Sequence, residues 1–417
     1  MVGKLQRDGK GKRVDMGTSA SVPDRKKHVP DNKKYFASYA PGLYLEDKFN
    51  PPRRSRFSTG VPVFVGLMKS AEEEVNPDRR VHMLSLWSHF MQHVGKPYRD
   101  CMLAYAVRGF FENGGTRCYV VVLEDESVEA LQHALDAAGT LHTIDLVCLP
   151  DPLQDRLANF ERQQLVVDHC ETLGDRFAIL DSWLGDRKEG VSQQWSSIDG
   201  NDGAIYYPWI RVRGFDEGMI VVPPCGHVAG VYARTDDSRG VHKAPANEIL
   251  EGVIDLERHV DHREQDFLNP RRVNCLRSFP GRGIRVWGAR TLGGHDPWTY
   301  VNVRRLFLTA IRWINWHMSD VVFEPNDAKL WARIERELNT YFSEQYRRGA
   351  LKGRTPQEAF YVKCNAETNP PEFRDIGQVI TEIGLVPANP YEFVVVRLIH
   401  GASGVSISGP IRPEQNL

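Results

Sequence analysis

From Thr59 onward, short apolar runs alternate with longer amphipathic stretches, and this alternation constrains the fold more than any other feature of the chain. Val61-Pro-Val-Phe-Val65-Gly-Leu67 and Cys118-Tyr-Val-Val-Val-Leu123 are continuously apolar rather than two-faced, as strands covered on both sides are. The spacing between and after them predicts helices at 102–112, 128–138 and 161–171, with further apolar runs at 146–149 and 177–181. Strands separated by helices need crossover connections, so the pattern implies an α/β layer with a largely parallel sheet, assigned to residues 57–265. A second domain, 266–390, holds the clearest helical period. Across Tyr300–Met318, Val303, Leu306, Phe307, Ala310, Ile311 and Ile314 recur on one face. Pro325-Asn326-Asp327 opens the next helix, which runs to about Gln345, with Asn326 as the expected cap. Residues 186–202, rich in Gly, Ser, Asp and Gln without an apolar period, read as a surface loop.

The two ends differ from this body. Residues 1–34 carry ten Lys/Arg against four Asp and no aromatic residue, the composition of a basic flexible extension. It is either a tether to an acidic neighbour or polyanion, or a solvated tail. Within 35–56, a turn signal and a short strand from Tyr35 to Glu46 have no hairpin partner beside them. The stretch 391–417 opens on the strong strand former Tyr391–Ile399 and closes in a polar tail after Gly401.

With 417 residues and 41% hydrophobic content, the chain can bury cores for two or three domains. Lys plus Arg (53) nearly cancels Asp plus Glu (54), so no overall field draws it to nucleic acid or an anionic membrane. The Met-Val-Gly-Lys start and the lack of an 18-residue apolar run lead us to expect no leader, no membrane insertion and assembly in the cytoplasm of the producing cell. Seven scattered cysteines, several in apolar runs, read as buried free thiols.

Motifs for chemistry are weak. Gly281-Arg-Gly283 precedes a strand-like run, not a helix whose N-terminus could meet a phosphate, and reads as a turn. His89 with His93, and His259 with His262, have metal-ligand spacing but no third ligand nearby. Cys225-Gly-His227 and His169-Cys170 lack the surroundings of a nucleophile pair. We therefore assign no catalytic, cofactor-binding or metal residue and no cofactor, and expect a protein that is not an enzyme. An α/β hydrolase or transferase is the rival class, and it would need a nucleophile or cofactor motif.

Several ordered blocks carry a resemblance: Ala40–Glu46, Gly109–Tyr119, Tyr206–Ile210, Val221–Asp236, Arg239–Asn247, Phe279–Leu292, Tyr300–Phe307, Val322–Asp327 and Ala359–Cys364. Together they make residues 35–400 resemble the contractile tail sheath proteins, which form the outer cylinder of phage tails, tailocins and extracellular contractile injection systems. The extension 1–34, the loop near 190 and the tail after Gly401 depart from that pattern. The resemblance implies a multi-domain α/β fold, with an outer α/β domain and an inner α/β assembly domain whose sheet is completed by terminal arms of neighbouring subunits. It implies self-association as six subunits per ring in a helical stack around an inner tube, which contraction drives through a target envelope. Baseplate and terminal cap proteins would be further partners, along with a second sheath paralogue, in a particle released or anchored.

Carried onto this sequence, strand exchange between subunits would use Tyr35, Tyr39, Leu43, Tyr44 and Leu45 at one end and Phe393, Val394, Val395, Val396 and Leu398 at the other. The alternative is pairing within one chain. Arg347, Arg348, Lys352 and Arg354 are the candidate tube-facing residues, or else a solvated helix end. Arg282, Arg285, Arg290, Arg304 and Arg305 are candidates for interdomain or intersubunit ion pairs, or for salt bridges along one helix. A baseplate or cap protein with the sheath fold is the alternative within the same machine.

Overall fold

The computed structural model describes residues 57–68, 81–293 and 297–388, together with the backbone of 394–401 and 404–411. The chain divides into Met1–Arg54 and Ser55–Leu417, and every described residue lies in the second unit. Tyr35, Tyr39, Leu43, Tyr44, Leu45 and Phe393 fall outside the described residues.

The body opens with β1 (Pro62–Leu67), β2 (Val81–Leu84), α1 (Trp87–His93), α2 (Met102–Glu112), β3 (Cys118–Leu123), α3 (Val128–Gly139), β4 (Leu146–Cys148), α4 (Arg156–Leu173) and β5 (Phe177–Asp181). It continues through α5 (Lys188–Ser196), β6 (Gly203–Tyr207), β7 (Ile210–Arg213), β8 (Met219–Val222), α6 (Cys225–Ser238), β9 (Glu248–Ile249), β10 (Val253–Leu256), α7 (His262–Leu268), β11 (Val273–Phe279) and β12 (Gly283–Trp287). Nine of these strands form one sheet in the order β2-β3-β1-β4-β5-β6-β11-β12-β9. The central run β3-β1-β4-β5-β6-β11 is parallel, as the alternation predicts. Antiparallel strands flank it on both sides. The sheet takes in β11 and β12, beyond the break expected at residue 265, because β11 pairs in parallel with β6. β7, β8 and β10 form a separate three-stranded sheet.

Alternating side chains of the central strands feed two cores, which is why those strands read as unbroken apolar runs. Phe64, Val120 and Val122 pack with α2 and α6 on one face. Val63, Val65 and Val121 pack with α3 and α4 on the other. α6 lies against α2 at glycine distance: a Cβ on Gly226 would stand 2.1 Å from the Ala106 carbonyl oxygen, and one on Gly230 would stand 2.6 Å from that of Phe110. The glycines of the Val221–Asp236 block are therefore packing positions.

The expected loop at 186–202 is corrected: Lys188–Ser196 is the helix α5. Only Val191 and Gln194 of this helix are buried, too few for an apolar period. Gln194 instead anchors it through hydrogen bonds, with Nε2 donating to Gln163 Oε1 and the Asp181 carbonyl, and Oε1 accepting from the Trp183 N–H.

The C-terminal part consists of α8 (Val301–His317), α9 (Ala328–Arg347), α10 (Pro356–Ala359), β13 (Phe360–Lys363), α11 (Pro371–Asp375), β14 (Val379–Leu385), β15 (Val394–Gly401) and β16 (Gly404–Ile411). Its strands make a four-stranded antiparallel sheet, β13-β14-β15-β16. Val303, Phe307 and Ile314 of α8 pack with Leu330, Ile334 and Leu338 of α9 in a third core. α8 is thus shared, since Val301, Leu308 and Ile311 on its other face join the core beneath the large sheet. Two further expectations are corrected. Asp327, not Asn326, caps α9, accepting from the N–H groups of Lys329 and Leu330. The Asn326 amide is taken up elsewhere, accepting from Trp331 Nε1 at 2.8 Å and donating to the Gln378 carbonyl at 2.9 Å. The polar tail after Gly401 contains a strand, β16, because β15 offers it a partner edge.

Candidate functional site

Two of the arginines singled out as ion-pair candidates, Arg304 and Arg305, sit at a charged joint between α8 and the large sheet. Arg305 is 2% exposed and grips Asp236 at the end of α6 with both terminal nitrogens, at 3.0 and 2.6 Å. Nη2 also reaches Asp145 Oδ2, at 3.1 Å, just before β4. The Asp145 carboxylate is pinned in turn by the N–H groups of Gly60 and Val61, at 3.0 and 2.6 Å. Two turns further on, Arg312 places Nη1 3.8 Å from Asp145 and donates from Nη2 to the Thr143 carbonyl. Arg304 makes a paired contact with Asp202, at the end of the loop before β6.

Burial alone would depress the Arg305 pKa, but Asp236 and Asp145 outweigh it and hold the guanidinium protonated. Its plane also lies over the Tyr232 ring, 4.7 Å from the centroid, and Tyr232 shares a 2.6 Å hydroxyl hydrogen bond with Tyr206. Paired and hydrogen-bonded charges of this kind specify one arrangement of α8 on the sheet, because any other leaves charge buried alone.

Arg304 and Arg305, singled out as ion-pair candidates, therefore do pair across elements, and neither pair runs along one helix. Arg282 and Arg285 turn to Asn247, and Arg290 to the Asn269 carbonyl, so these three support loops by hydrogen bonds. Sequence reasoning missed Arg312, Asp145, Asp202 and Asp236. A signal was present for the first: residues 301, 305, 308 and 312 trace a second stripe of α8 on which cations interrupt apolar residues.

Val394, Val395, Val396 and Leu398 lie in β15, whose register within the chain pairs Val394 with Leu385 and Val396 with Ile383. β13 and β16 are the sheet's edges. Arg347, Arg348, Lys352 and Arg354 are exposed around the turn that ends α9. Among them Arg348 pairs with Glu344 one turn back.

The residues considered for chemistry are placed as structural ones. All seven cysteines are buried and free. Burial pushes the Cys225 thiol well up and the His227 pKa down to about 3, so that pair presents neither thiolate nor base. His169 is lowered to about 4 by burial and by Arg176. His259 and His262 each face an aspartate four residues away, and no cluster of metal-ligating side chains occurs among the described residues. Gly281 and Gly283 form the β11–β12 turn, with φ of 70° and 76°, a conformation that favours glycine. No helix among the described residues is long and apolar enough to cross a membrane.

Residues 126–292 match the phage tail sheath protein central domain, and 295–399 match the phage tail sheath C-terminal domain. The tail sheath protein of Salmonella phage ViI is 26% identical over 247 residues, 54% of this chain; the chain spans only 37% of that relative's length. The helical sheath of the anti-feeding prophage in its contracted state is 31% identical with a TM-score of 0.69, covering 86% of this chain and 98% of that one. The same values hold for a chain in the baseplate structure of that particle. The sheath complex of the extracellular contractile injection system PVC, in its contracted state, is 29% identical with a TM-score of 0.68, covering 86% and 96%. The chain belongs to the contractile tail sheath family. It is a structural protein, a sheath subunit of phage-tail and tailocin-like contractile systems.

Proposed function

We propose that the chain polymerises as six-subunit rings stacked helically around an inner tube, and that contraction of this stack drives the tube through a target envelope. The observation that carries the reading is the likeness to the anti-feeding prophage sheath, which spans 98% of that chain at 31% identity. In this reading the large sheet forms the outer domain, and α8 to β16 form the inner, tube-facing domain. Strands at the two chain ends, Tyr35–Leu45 and Phe393–Leu398, are exchanged between neighbours and complete the four-stranded sheet, whose edges would otherwise stay open. Arg347, Arg348, Lys352 and Arg354 meet an acidic tube surface through contacts weak and screened enough to be released. Contraction needs no nucleotide: a lattice that buries more apolar surface gains roughly 25 cal/mol per Å² for every subunit. The subunits assemble in the cytoplasm of the producing cell, with baseplate and cap proteins closing the two ends.

Negative-stain microscopy of the chain co-expressed with its tube protein tests this reading. Hollow ridged cylinders are expected; monodisperse monomer under every condition overturns it. The equal match to a chain of the anti-feeding prophage baseplate favours one second reading, a baseplate component, which would give rings and no cylinders.

A further inference from the structure

The five residues that precede β1 are held more firmly than a connecting loop requires. Phe57, Ser58 and Thr59 are only half-buried, and a loop so placed can take its hydrogen bonds from water. Here they are fixed instead to several parts of the body. The Phe57 ring lies under the Arg312 guanidinium, its centroid 5.0 Å from Cζ, and stands 6.3 Å from the His317 ring, both on α8. Ser58 accepts from Arg117, just before β3, through Oγ at 2.9 Å, and from Arg312 through its carbonyl at 3.4 Å. The Thr59 hydroxyl donates to the Asp236 carboxylate at the end of α6. Gly60 and Val61 give their N–H groups to Asp145, and the Val61 carbonyl accepts in return from the N–H groups of Asp145 and Leu146. Gly60 sits at φ 70°, and a Cβ there would stand 2.5 Å from the Ala233 Cα of α6, so only glycine lets the backbone lie this close.

Arg312, Asp145 and Asp236, which these contacts reach, belong to the joint that seats α8 on the large sheet. In sequence the segment stands between residues 1–56 and β1, a central strand flanked by β3 and β4. A pull on a strand end that met only ladder bonds would open them one after another. A pull arriving at Phe57–Val61 loads contacts to α6, α8 and the approaches to β3 and β4 together, so they must fail together. Forced opening is governed by the barrier at the loaded contacts, and the shared arrangement raises it. We infer that Phe57–Val61 is a tension anchor: force carried along the chain from the N-terminal arm is delivered to the joint between α8 and the large sheet, and so to both cores that α8 shares, before it reaches β1. The source of that force, a neighbour holding the arm, rests on the sheath reading, to which the anchor adds the point where force enters the subunit. The anchor itself is a property of the single chain.

The test pulls single molecules of the full chain between handles at Ser55→Cys and Ile254→Cys, the second exposed on β10; the seven native thiols are buried and react slowly. With the native segment, the expected result is no release before the cooperative unfolding of the body. Adding Phe57→Ala and Thr59→Val removes the ring and the hydroxyl without touching a core residue. That variant should keep its melting temperature and show an early, weak release of about 20 Å, the extended length from Ser55 to Val61. An early release of that length with the native segment, or none in the variant, overturns the anchor. In cylinders, Phe57→Ala with Thr59→Val should assemble but break into shorter pieces on contraction. Cylinders of that variant that contract intact overturn the delivery of force through this segment while leaving the sheath reading standing. If the wild-type chain forms no cylinders, the sheath reading falls, and the pulling result still decides the anchor.

Discussion

Arg305 lies where water does not reach and answers two carboxylates at once, so removing it leaves Asp236 without a cation and Asp145 with only the more distant Arg312. Arg305→Met should cost roughly 3–5 kcal/mol in urea unfolding, the range for breaking a buried pair. Adding Asp236→Asn should recover part of that loss, and a double variant no more stable than the single would show that the pair is not what is lost. His227 gives a pH test. Its folded pKa is pushed down to about 3 from 6.5 by burial and then by Arg108. Between those values the unfolded chain binds a proton that the folded chain refuses, so stability falls as pH drops through the window, by at most about 1.4 kcal/mol per pH unit. His227→Gln should flatten the decline of melting temperature on acidification, and an unchanged slope would refute the assignment. At this scale the sequence marked Arg304 and Arg305 but not their partners. Asp145, Asp202 and Asp236 lie far from them along the chain, and only the assembled sheet brings them under α8.

Elements were more legible than residues. The helices at 102–112 and 128–138 and the strand at 118–123 were readable because each buries one periodic face or two full ones. α5 was not, since what holds it is the Gln194 amide among backbone partners, and hydrogen bonds leave no apolar period. The start of α9 shows the same limit: Asn326 and Asp327 are both good caps by type, and the choice was settled by the distant Gln378 carbonyl and the nearby Trp331 indole. Asp327→Ala should therefore lower stability by about 1 kcal/mol in chemical unfolding through loss of the cap. β15 raises a different question, for the register that pairs Glu382 with Arg397 inside one chain could equally join two. Glu382→Cys with Arg397→Cys should cross-link within single chains in the monomer and between chains in cylinders. Only intrachain links in cylinders would rule out exchange of this strand.

At the scale of the whole molecule, the family and its α/β architecture were readable from ordered blocks of sequence. Of the corrected features, α5 and β16 sit close to the departures from those blocks noted near 190 and after Gly401, whereas the cap of α9 lies inside the block Val322–Asp327. If the terminal arms link neighbours, a chain lacking residues 1–46 should remain a folded monomer, with an unchanged melting temperature, that builds no cylinders; normal cylinders from it would remove arm exchange from the account.

α8 contributes one face to the core under the large sheet and the other to the core it shares with α9, with Arg305 locked between. A helix that belongs to two cores cannot leave one without exposing the other, so the two parts should melt in a single transition, with calorimetric and van't Hoff enthalpies that agree. In the sheath reading, a subunit built this way would act under load as one stiff link, with the give in a chain of such links confined to the joints between them.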